Sequence, residues 1–181
     1  MVRQSERTLI HRRYSEVHGA CVRPAYASYC GVERDGRARA AIGFRRADAG
    51  PLFLERYLDQ PVEATVALAL GSRVPRSDII ELGNFAADDA FAMIALWSRA
   101  ANDLATGCEV AVATLTAPLR SMLRRMSVPI HVLAPAMRER ADDPAAWGRY
   151  YDTDPQVCAG WIAEGQRALA SFAARRGRNA A

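Results

Sequence analysis

The sequence contains no lysine, since all 24 of its basic residues are arginine. This absence excludes mechanisms in which a lysine amine attacks the substrate or forms a Schiff base. The chain also lacks a Cys-x-x-Cys pair and any histidine at metal-ligand spacing from a cysteine. We therefore predict no metal site, and we expect the cysteines to be reduced thiols of a cytoplasmic protein. They are Cys21, Cys30, Cys108 and Cys158.

Long apolar segments are missing as well. The longest strongly apolar stretch, residues 90–97, is far shorter than the roughly 20 residues of a membrane-spanning helix. Residues 1–7 lack the apolar core of a secretory signal. The net charge is only +4 and the arginines form short clusters, whereas a dedicated nucleic-acid-binding protein carries a long basic stripe. We predict a cytoplasmic protein that neither spans a membrane nor binds nucleic acid.

The apolar sequence that is present suffices for one domain. With 181 residues, half of them hydrophobic, the chain is long enough to bury one core and too short for two domains of ordinary size. We predict a single domain over residues 1–181, with flexible ends at residues 1–8 and 176–181.

Hydrophobic spacing and turn residues predict the order of the elements. Helices are expected at residues 9–22, 61–70, 88–107 and 116–126, and a last helix is expected to open at Asp154-Pro155. Strands are expected at residues 26–32, 40–46, 52–58, 79–86, 109–115 and 128–133. Strands that first form a meander and then alternate with helices indicate an α/β (α+β) fold in which helices flank a mixed sheet.

One predicted strand carries a carboxylate on an otherwise apolar segment, at Glu81. Burying an ionised side chain costs several kcal/mol unless it is paired. Glu81 is therefore either matched by an arginine or kept for acid/base chemistry. Strict alternation would place Glu81, Gly83 and Phe85 on one face of the strand and Asn84 on the other, if no bulge intervenes.

Gly83 makes a bulge or a close ligand approach plausible in this strand, because no side chain blocks its backbone. A bulged backbone N–H near Gly83 and Asn84 would be a donor to a carbonyl oxygen such as that of a thioester, where it would stabilise an oxyanion. The alternative is that the glycine only permits tight packing against a helix.

A second carboxylate, Glu55, lies on the strand predicted over residues 52–58. Together with Glu81 it could orient and deprotonate an amine. Alternatively, Glu55 is held in a structural ion pair by Arg56, Arg73 or Arg76.

Two further groups are candidates for binding a donor substrate. Arg120, Arg124 and Arg125 share one predicted helix face, which is either a solvated surface or a docking site for a phosphate or an acidic protein. The second group is aromatic and would either wall an acyl tunnel or anchor the last helix. It comprises Trp147, Tyr150 and Tyr151, to which we add Thr114 from the neighbouring predicted strand.

Several blocks, taken together and in order, resemble the thermostable hemolysin family of bacteria. They are Phe53-Leu54-Glu55-Arg56-Tyr57-Leu58 followed by Pro61-Val62-Glu63, then Ile80-Glu81-Leu82-Gly83-Asn84-Phe85-Ala86, residues 116–125, and Trp147-Gly148-Arg149-Tyr150-Tyr151. The resemblance covers roughly residues 10–170. That family is similar to the GNAT acyltransferases, and in particular to the acyl-homoserine-lactone autoinducer synthases, whose Glu-Leu-Ser-Arg-Phe-Ala strand resembles residues 81–86 here.

The resemblance implies a GNAT-like, mostly antiparallel sheet and the transfer of a fatty acyl group from a phosphopantetheine thioester to a small amine or amino acid. Gly83 and Asn84 replace the Ser-Arg of the autoinducer synthases, and the pattern of their S-adenosylmethionine pocket is not evident before residue 40, which speaks against homoserine lactone production. Asp88 and Asp89 stand where GNAT enzymes carry a phosphate-binding loop. Two carboxylates there would repel a pyrophosphate, which favours an acyl carrier protein over acyl-CoA as donor.

Two other functions remain open at this stage. The family name suggests a membrane-active hemolysin, although no spanning segment or long amphipathic helix with an exposed apolar face is evident in the sequence. Alternatively, the chain is a non-catalytic module that binds an acyl chain or a lipid, with Glu81 as a buried member of an ion pair.

Overall fold

The computed structural model describes residues 4–22, 26–104 and 107–179. Within these ranges, five α-helices accompany one six-stranded sheet. The helices are α1 (Gln4–His18), α2 (Val62–Leu70), α3 (Ala90–Leu104), α4 (Ala117–Arg125) and α5 (Ile162–Asn179). The strands are β1 (Ser28–Arg34), β2 (Arg37–Arg46), β3 (Ile79–Ala87), β4 (Val110–Leu115), β5 (His131–Pro135) and β6 (Gln156–Trp161).

The strands lie in the order β1-β2-β3-β4-β6-β5. Every neighbouring pair is antiparallel except β3 and β4, which are parallel and joined through α3. The predicted mixed, mostly antiparallel sheet flanked by helices is therefore confirmed. None of the described helices is long and apolar enough to cross a membrane.

Helices cover both faces of the sheet, because successive strand residues point to opposite sides. On one face, Val112 of β4 packs in a core with Val62 and Val66 of α2, and α1 adds a second cluster beside it. On the other face, Ala113 packs with Leu96 of α3 and with residues of α4 and α5. The central strands are consequently buried on both sides.

The segment predicted as a strand over residues 52–58 is instead a short 3-10 helix, Phe53–Tyr57. The carboxylate of Glu55 accepts a hydrogen bond from the backbone N–H of Leu52 (2.8 Å) and so caps the first turn. Leu54 and Tyr57, three residues apart, are both buried. Local capping and this spacing favour a helical turn over strand pairing.

The last helix does not open at Asp154-Pro155 as predicted, because residues 156–161 form β6, between β4 and β5. A strand that is buried on both faces has a continuous apolar sequence. Hydrophobic periodicity alone does not distinguish such a sequence from that of a buried helix. Helix α5 begins at Ile162. Residues 4–8 and 176–179, predicted to be flexible, belong to α1 and α5; residues 1–3 and 180–181 lie outside the described ranges.

Candidate active site

The parallel strands β3 and β4 pair over only part of their length. Pairing runs from Ile79 opposite Val110 to Leu82 opposite Ala113 and then stops. Beyond this point β3 continues to pair only with β2, and β4 only with β6. Within the described part of the chain, the facing edges of residues 83–87 and 114–115 therefore have no strand partner. Backbone polar groups on such edges need hydrogen-bond partners from elsewhere, which a ligand could supply.

A bulge in β3 begins at the same point. Gly43 pairs with Gly83 and Ala41 with Ala86, so that β3 has one residue more than β2 between these two pairs. Asn84 absorbs the extra residue with a positive φ of 51°, a conformation that asparagine and glycine adopt most readily. Of the alternatives that Gly83 left open, the structure shows the bulge. The strict alternation, which was expected only without a bulge, therefore does not apply: Asn84 lines the same cleft as Glu81, while Phe85 packs toward α3.

Glu81 is 2% exposed. No arginine among the described residues forms an ion pair with it, contrary to one of the two hypotheses, although the charge of nearby Arg45 acts to lower its pKa. The Oε2 of Glu81 accepts the backbone N–H of Phe53 and its Oε1 that of Leu54, each at 2.9 Å. The Tyr26 phenol lines the same cleft as Glu81 and acts to lower the pKa of its carboxyl. Glu81 thus anchors the first turn of the 3-10 helix beside this phenol.

Burial raises the pKa of Glu81 above its usual value, while the hydrogen bonds from Phe53 and Leu54 and the Tyr26 phenol act in the opposite direction. Burial outweighs them because desolvation disfavours the charged form. A carboxylate whose pKa lies closer to neutrality is a better proton acceptor and donor in catalysis than an ordinary surface glutamate.

Two glycines make room for Tyr26 on the sheet. Gly43 and Gly83 are direct cross-strand partners. A Cβ on Gly43 would lie 2.5 Å from the Tyr26 ring, and a Cβ on Gly83 would lie 2.1 Å from the Tyr26 hydroxyl. The tyrosine therefore lies flat against bare backbone, with its hydroxyl above the start of the bulge. Burial raises its pKa well above the usual value, so the phenol stays protonated.

A cleft of about 600 Å³ opens on the Glu81 face of the sheet. Its floor includes Glu81, Gly83, Asn84 and, from β4, Thr114. Its walls are largely aromatic and its rim carries Asp142 and Asp143. The aromatic residues are Tyr14, Tyr26, Phe53, Tyr57, Trp147 and Tyr150.

The aromatic cluster from residues 147–151 stands against α1 and does not anchor the last helix. Trp147 and Tyr150 both pack against the ring of Tyr14. Tyr151 is in contact with Trp147 and Tyr150 and is hydrogen-bonded through its hydroxyl to that of Tyr57 (2.7 Å). The cluster thus fixes one wall of the cleft.

A smaller apolar cavity of about 120 Å³ lies on the opposite face of the sheet. Leu82 lines both spaces, while Thr114 faces the cleft and its neighbours Ala113 and Leu115 face the cavity. The gap between β3 and β4 therefore lies between a polar, aromatic cleft and a dry apolar cavity.

Glu55 does not share the cleft with Glu81. Both of its oxygens lie 2.7 Å from the Arg76 guanidinium, and they also accept the backbone N–H groups of Leu52 and Val62. The bonds from Arg76 are the main reason that the pKa of Glu55 is lowered to about 2. A carboxylate held in this way does not take up protons near neutral pH, which contradicts the predicted catalytic contribution of Glu55 and supports the structural ion pair.

Arg120 does not belong to a solvated arginine face. It is 8% exposed and donates to the carbonyl oxygens of Leu115 (2.7 Å) and Asp154 (2.6 Å) and to the Asp154 carboxylate (2.5 Å). It thereby connects α4, the end of β4 and the start of β6. The prediction that Arg120 docks a donor is therefore contradicted, whereas Arg124 and Arg125 are exposed.

The acidic pair between β3 and α3 is largely neutralised. Asp88 lies 2.5 Å from Arg12 and 3.2 Å from Arg39. Asp89 lies 3.3 Å from Arg39 and accepts the backbone N–H of Ala92. The repulsion of a pyrophosphate inferred from the sequence is weakened by these two guanidinium groups.

A family model for thermostable hemolysin matches residues 1–166. The chain belongs to the thermostable hemolysin family. Among curated protein sequences, none matches it.

Solved structures similar to this thermostable hemolysin family member include two acyl-homoserine lactone synthases. BjaI, a CoA-dependent synthase solved with SAM and isopentyl-CoA, is 12% identical with a TM-score of 0.59, and the match covers 95% of this chain and 81% of that one. LasI, an AHL synthase, is 14% identical with a TM-score of 0.55, over 78% and 68% of the two chains.

The third neighbour is FeeM, an N-acyl amino acid synthase from uncultured soil microbes. It is 13% identical with a TM-score of 0.57, over 90% of this chain and 91% of that one. At these identities the likeness establishes the fold, and this thermostable hemolysin family member shares the GNAT-like architecture of its neighbours.

The sequence does not indicate that Tyr26 and Tyr14 belong to the site. Its pattern places Tyr26 in a predicted strand and Tyr14 in a predicted helix, and nothing in it connects either residue with Glu81. The signal that could have found Tyr26 is the pair Gly43 and Gly83, because two bare positions on neighbouring strands leave space for one flat ring.

Proposed function

We propose that this protein is an N-acyltransferase, which binds an acyl phosphopantetheine thioester in the gap between β3 and β4 and transfers the acyl group to a small amine or amino acid in the cleft. The observation that carries this proposal is the arrangement around Leu82 and Ala113. At this point the two strands separate and leave unpaired edges. The buried Glu81 carboxylate lies on one side of the gap and the apolar cavity on the other.

The apolar cavity is suited to the acyl chain. Its lining comes from β3, β4 and β6 and from helices α3, α4 and α5, and it is almost free of polar groups. Transfer of a hydrocarbon chain from water into such a space is favourable by about 0.8 kcal/mol for each buried CH₂ group. A thioester in the gap would extend its chain past Leu82 into this cavity.

The free backbone of β3 is suited to the thioester carbonyl. Oxyanion stabilisation needs N–H donors that no strand already uses and that are fixed before the reaction. The bulge at Asn84 and the end of pairing at Leu82 leave the edge of β3 that faces β4 unpaired over residues 83–87, while its other edge stays paired with β2. This is the role that the sequence assigned to the backbone near Gly83 and Asn84.

Glu81 takes the proton of the amine through Tyr26. An amine in the cleft exchanges its proton with Glu81 through Tyr26, because both carboxylate oxygens already accept the backbone N–H groups of Phe53 and Leu54. The Tyr26 hydroxyl, which lies beside Glu81, takes a proton from the ammonium group as it passes its own proton to the carboxylate. The neutral amine then attacks the thioester carbon, the C–S bond breaks, the thiolate takes up one proton, and one further proton leaves to solvent.

The exposed pair Arg124 and Arg125 supports a carrier protein as the donor. Guanidinium groups bind phosphate and carboxylate groups well, and neither arginine has an ion-pair partner among the residues that the structure describes. Acyl-CoA is the alternative donor, because Arg12 and Arg39 neutralise Asp88 and Asp89. Both donors present the same phosphopantetheine thioester to the gap.

The reaction is tested with purified protein, decanoyl carrier protein or decanoyl-CoA, and a pool of amino acids and primary amines. We expect an acylated amine by mass spectrometry, and much less product with Tyr26→Phe and Glu81→Gln. Arg124→Ala/Arg125→Ala should slow transfer from the carrier protein but not from a short pantetheine thioester. No product from either donor would contradict the proposed function.

A further inference from the structure

Asn84 has a buried side-chain oxygen without a partner. The side chain is 8% exposed and lines the cleft. It lies beside the phenol of Tyr14, whose pKa is raised by burial and partly lowered by the Asn84 side chain. The carbonyl oxygen Oδ1 is shielded from solvent and has no hydrogen-bond partner within the described part of the chain.

A buried acceptor without a partner is costly. Leaving such an oxygen unsatisfied costs roughly 1–3 kcal/mol, and most buried polar groups in proteins are bonded for this reason. A ligand that brings a donor to this oxygen recovers the loss.

The surroundings favour a positively charged donor. Three carboxylates line the cleft, those of Glu81, Asp142 and Asp143. Within the described lining, Arg56 is the one basic residue. Arg56 is already bonded to Asp142 at 2.7 Å. The described lining therefore carries an excess of negative charge and of hydrogen-bond acceptors, which suits an ammonium group with its three N–H donors.

We propose that Oδ1 of Asn84 binds the ammonium group of a primary amine acceptor and directs it toward the start of the bulge, where the Tyr26 hydroxyl also lies. This inference rests on the proposed acyl transfer and assigns the side chain that selects and positions its amine acceptor. Selection for an ammonium group excludes alcohols of the same shape, which bring only one donor and no charge.

The positive φ of Asn84 provides matched variants. At φ 51°, glycine and aspartate are accommodated as well as asparagine. Asn84→Gly removes the side chain but keeps the bulge and its backbone N–H. Asn84→Asp keeps an oxygen acceptor and replaces the amide N–H.

Tyramine and tyrosol, which differ only in an amine or a hydroxyl at the end of the same chain, are the probes. Binding to the full-length protein is measured by calorimetry without thioester, and the KM for tyramine is measured with decanoyl-CoA. We expect tyramine but not tyrosol to bind, and Asn84→Gly to weaken tyramine binding and raise its KM roughly tenfold or more, with the KM for the thioester unchanged. Asn84→Asp should bind tyramine at least as tightly as the wild type.

Four outcomes would overturn the inference: no binding of tyramine by the wild type, equal binding of tyrosol, unchanged binding by Asn84→Gly, or lost binding in Asn84→Asp. The last would mean that the amide N–H, and not the oxygen, faces the ligand. Failure of the proposed function is distinct from these, since it would appear as absence of any amide product from the wild type with every amine tested.

Discussion

The Tyr26 hydroxyl lies directly over Gly83, so closely that a Cβ at this glycine would stand 2.1 Å from the phenol oxygen. Gly83→Ala must therefore displace Tyr26 from Glu81. We expect a loss of about 1–3 kcal/mol in the free energy of unfolding, as for other overpacked sites, together with loss of acyl transfer. Urea denaturation and the transfer assay measure the two effects.

The control for this substitution is Gly177→Ala, because a Cβ there has no neighbour within 4 Å. In helix α5 alanine should change stability by less than about 1 kcal/mol, in the stabilising direction. Unimpaired activity in Gly83→Ala would show that Tyr26 has no part in the reaction.

Ionisation of Glu81 should destabilise the folded protein. Because burial raises the pKa of Glu81 above 4.5, the folded state binds this proton more strongly than the unfolded state does. The stabilisation is complete below pH 4.5 and is lost as pH rises through the pKa of the folded state. Relative to Glu81→Gln, the wild type should therefore lose stability as the pH rises above 4.5, as followed by urea denaturation at a series of pH values. If the stability difference between the wild type and Glu81→Gln does not vary with pH, the pKa of Glu81 is not raised.

Glu55 should show the opposite pH dependence. Its pKa is lowered to about 2 by Arg76, so its stabilisation is present above pH 4.5 and is lost as the pH falls toward 2. Glu55→Gln should lower the free energy of unfolding at neutral pH. It should also make that free energy depend less on pH between 4.5 and 2. Acyl transfer by the folded variant at neutral pH should stay near the wild-type rate, because Glu55 lies outside the cleft; a specific loss of kcat would restore Glu55 to the site.

The sequence predicted those parts of the fold that local patterns determine. The bulge followed from Gly83 on an apolar strand, and α2 and α4 followed from periodicity and N-terminal signals near Pro61 and Thr116. The 3-10 helix at residues 53–57 was only partly predictable. Its Glu55 cap is local, but the Glu81 carboxylate that bonds to its backbone lies 27 residues from Leu54.

The candidate site was only partly predictable for the same reason. Glu81 stood out because an isolated carboxylate on an apolar strand is unusual. The neighbours of Glu81 could not be recognised in the sequence. Tyr26 and the backbone of Phe53 and Leu54 come close to it only through the tertiary fold. Arg120 could not be distinguished from Arg124 by sequence, because its burial depends on Asp154, which the structure brings next to α4.

Arg120 should prove to be important for stability, unlike its neighbours on α4. Arg120→Ala leaves the carbonyl oxygens of Leu115 and Asp154 without their donor, and we expect a loss of about 2–3 kcal/mol. Arg124→Ala, at an exposed position of the same helix, should change stability by less than about 0.5 kcal/mol. Thermal and urea unfolding distinguish the two, and equal stability of the variants would contradict a structural role for Arg120.

The apolar cavity should set the length of the acyl chain that the protein accepts. Ala113 lines this cavity next to the point where β3 and β4 separate, and Ala113→Val adds two methyl groups inside it, in a strand that accommodates β-branched residues. We expect the preference in kcat/KM to move toward shorter acyl thioesters. Ala173→Val, the same change at an exposed position of α5, serves as the control and should leave the preference unchanged. An unaltered chain-length profile in Ala113→Val would show that the acyl chain does not enter this cavity, because a chain that passes Leu82 must contact the enlarged side chain.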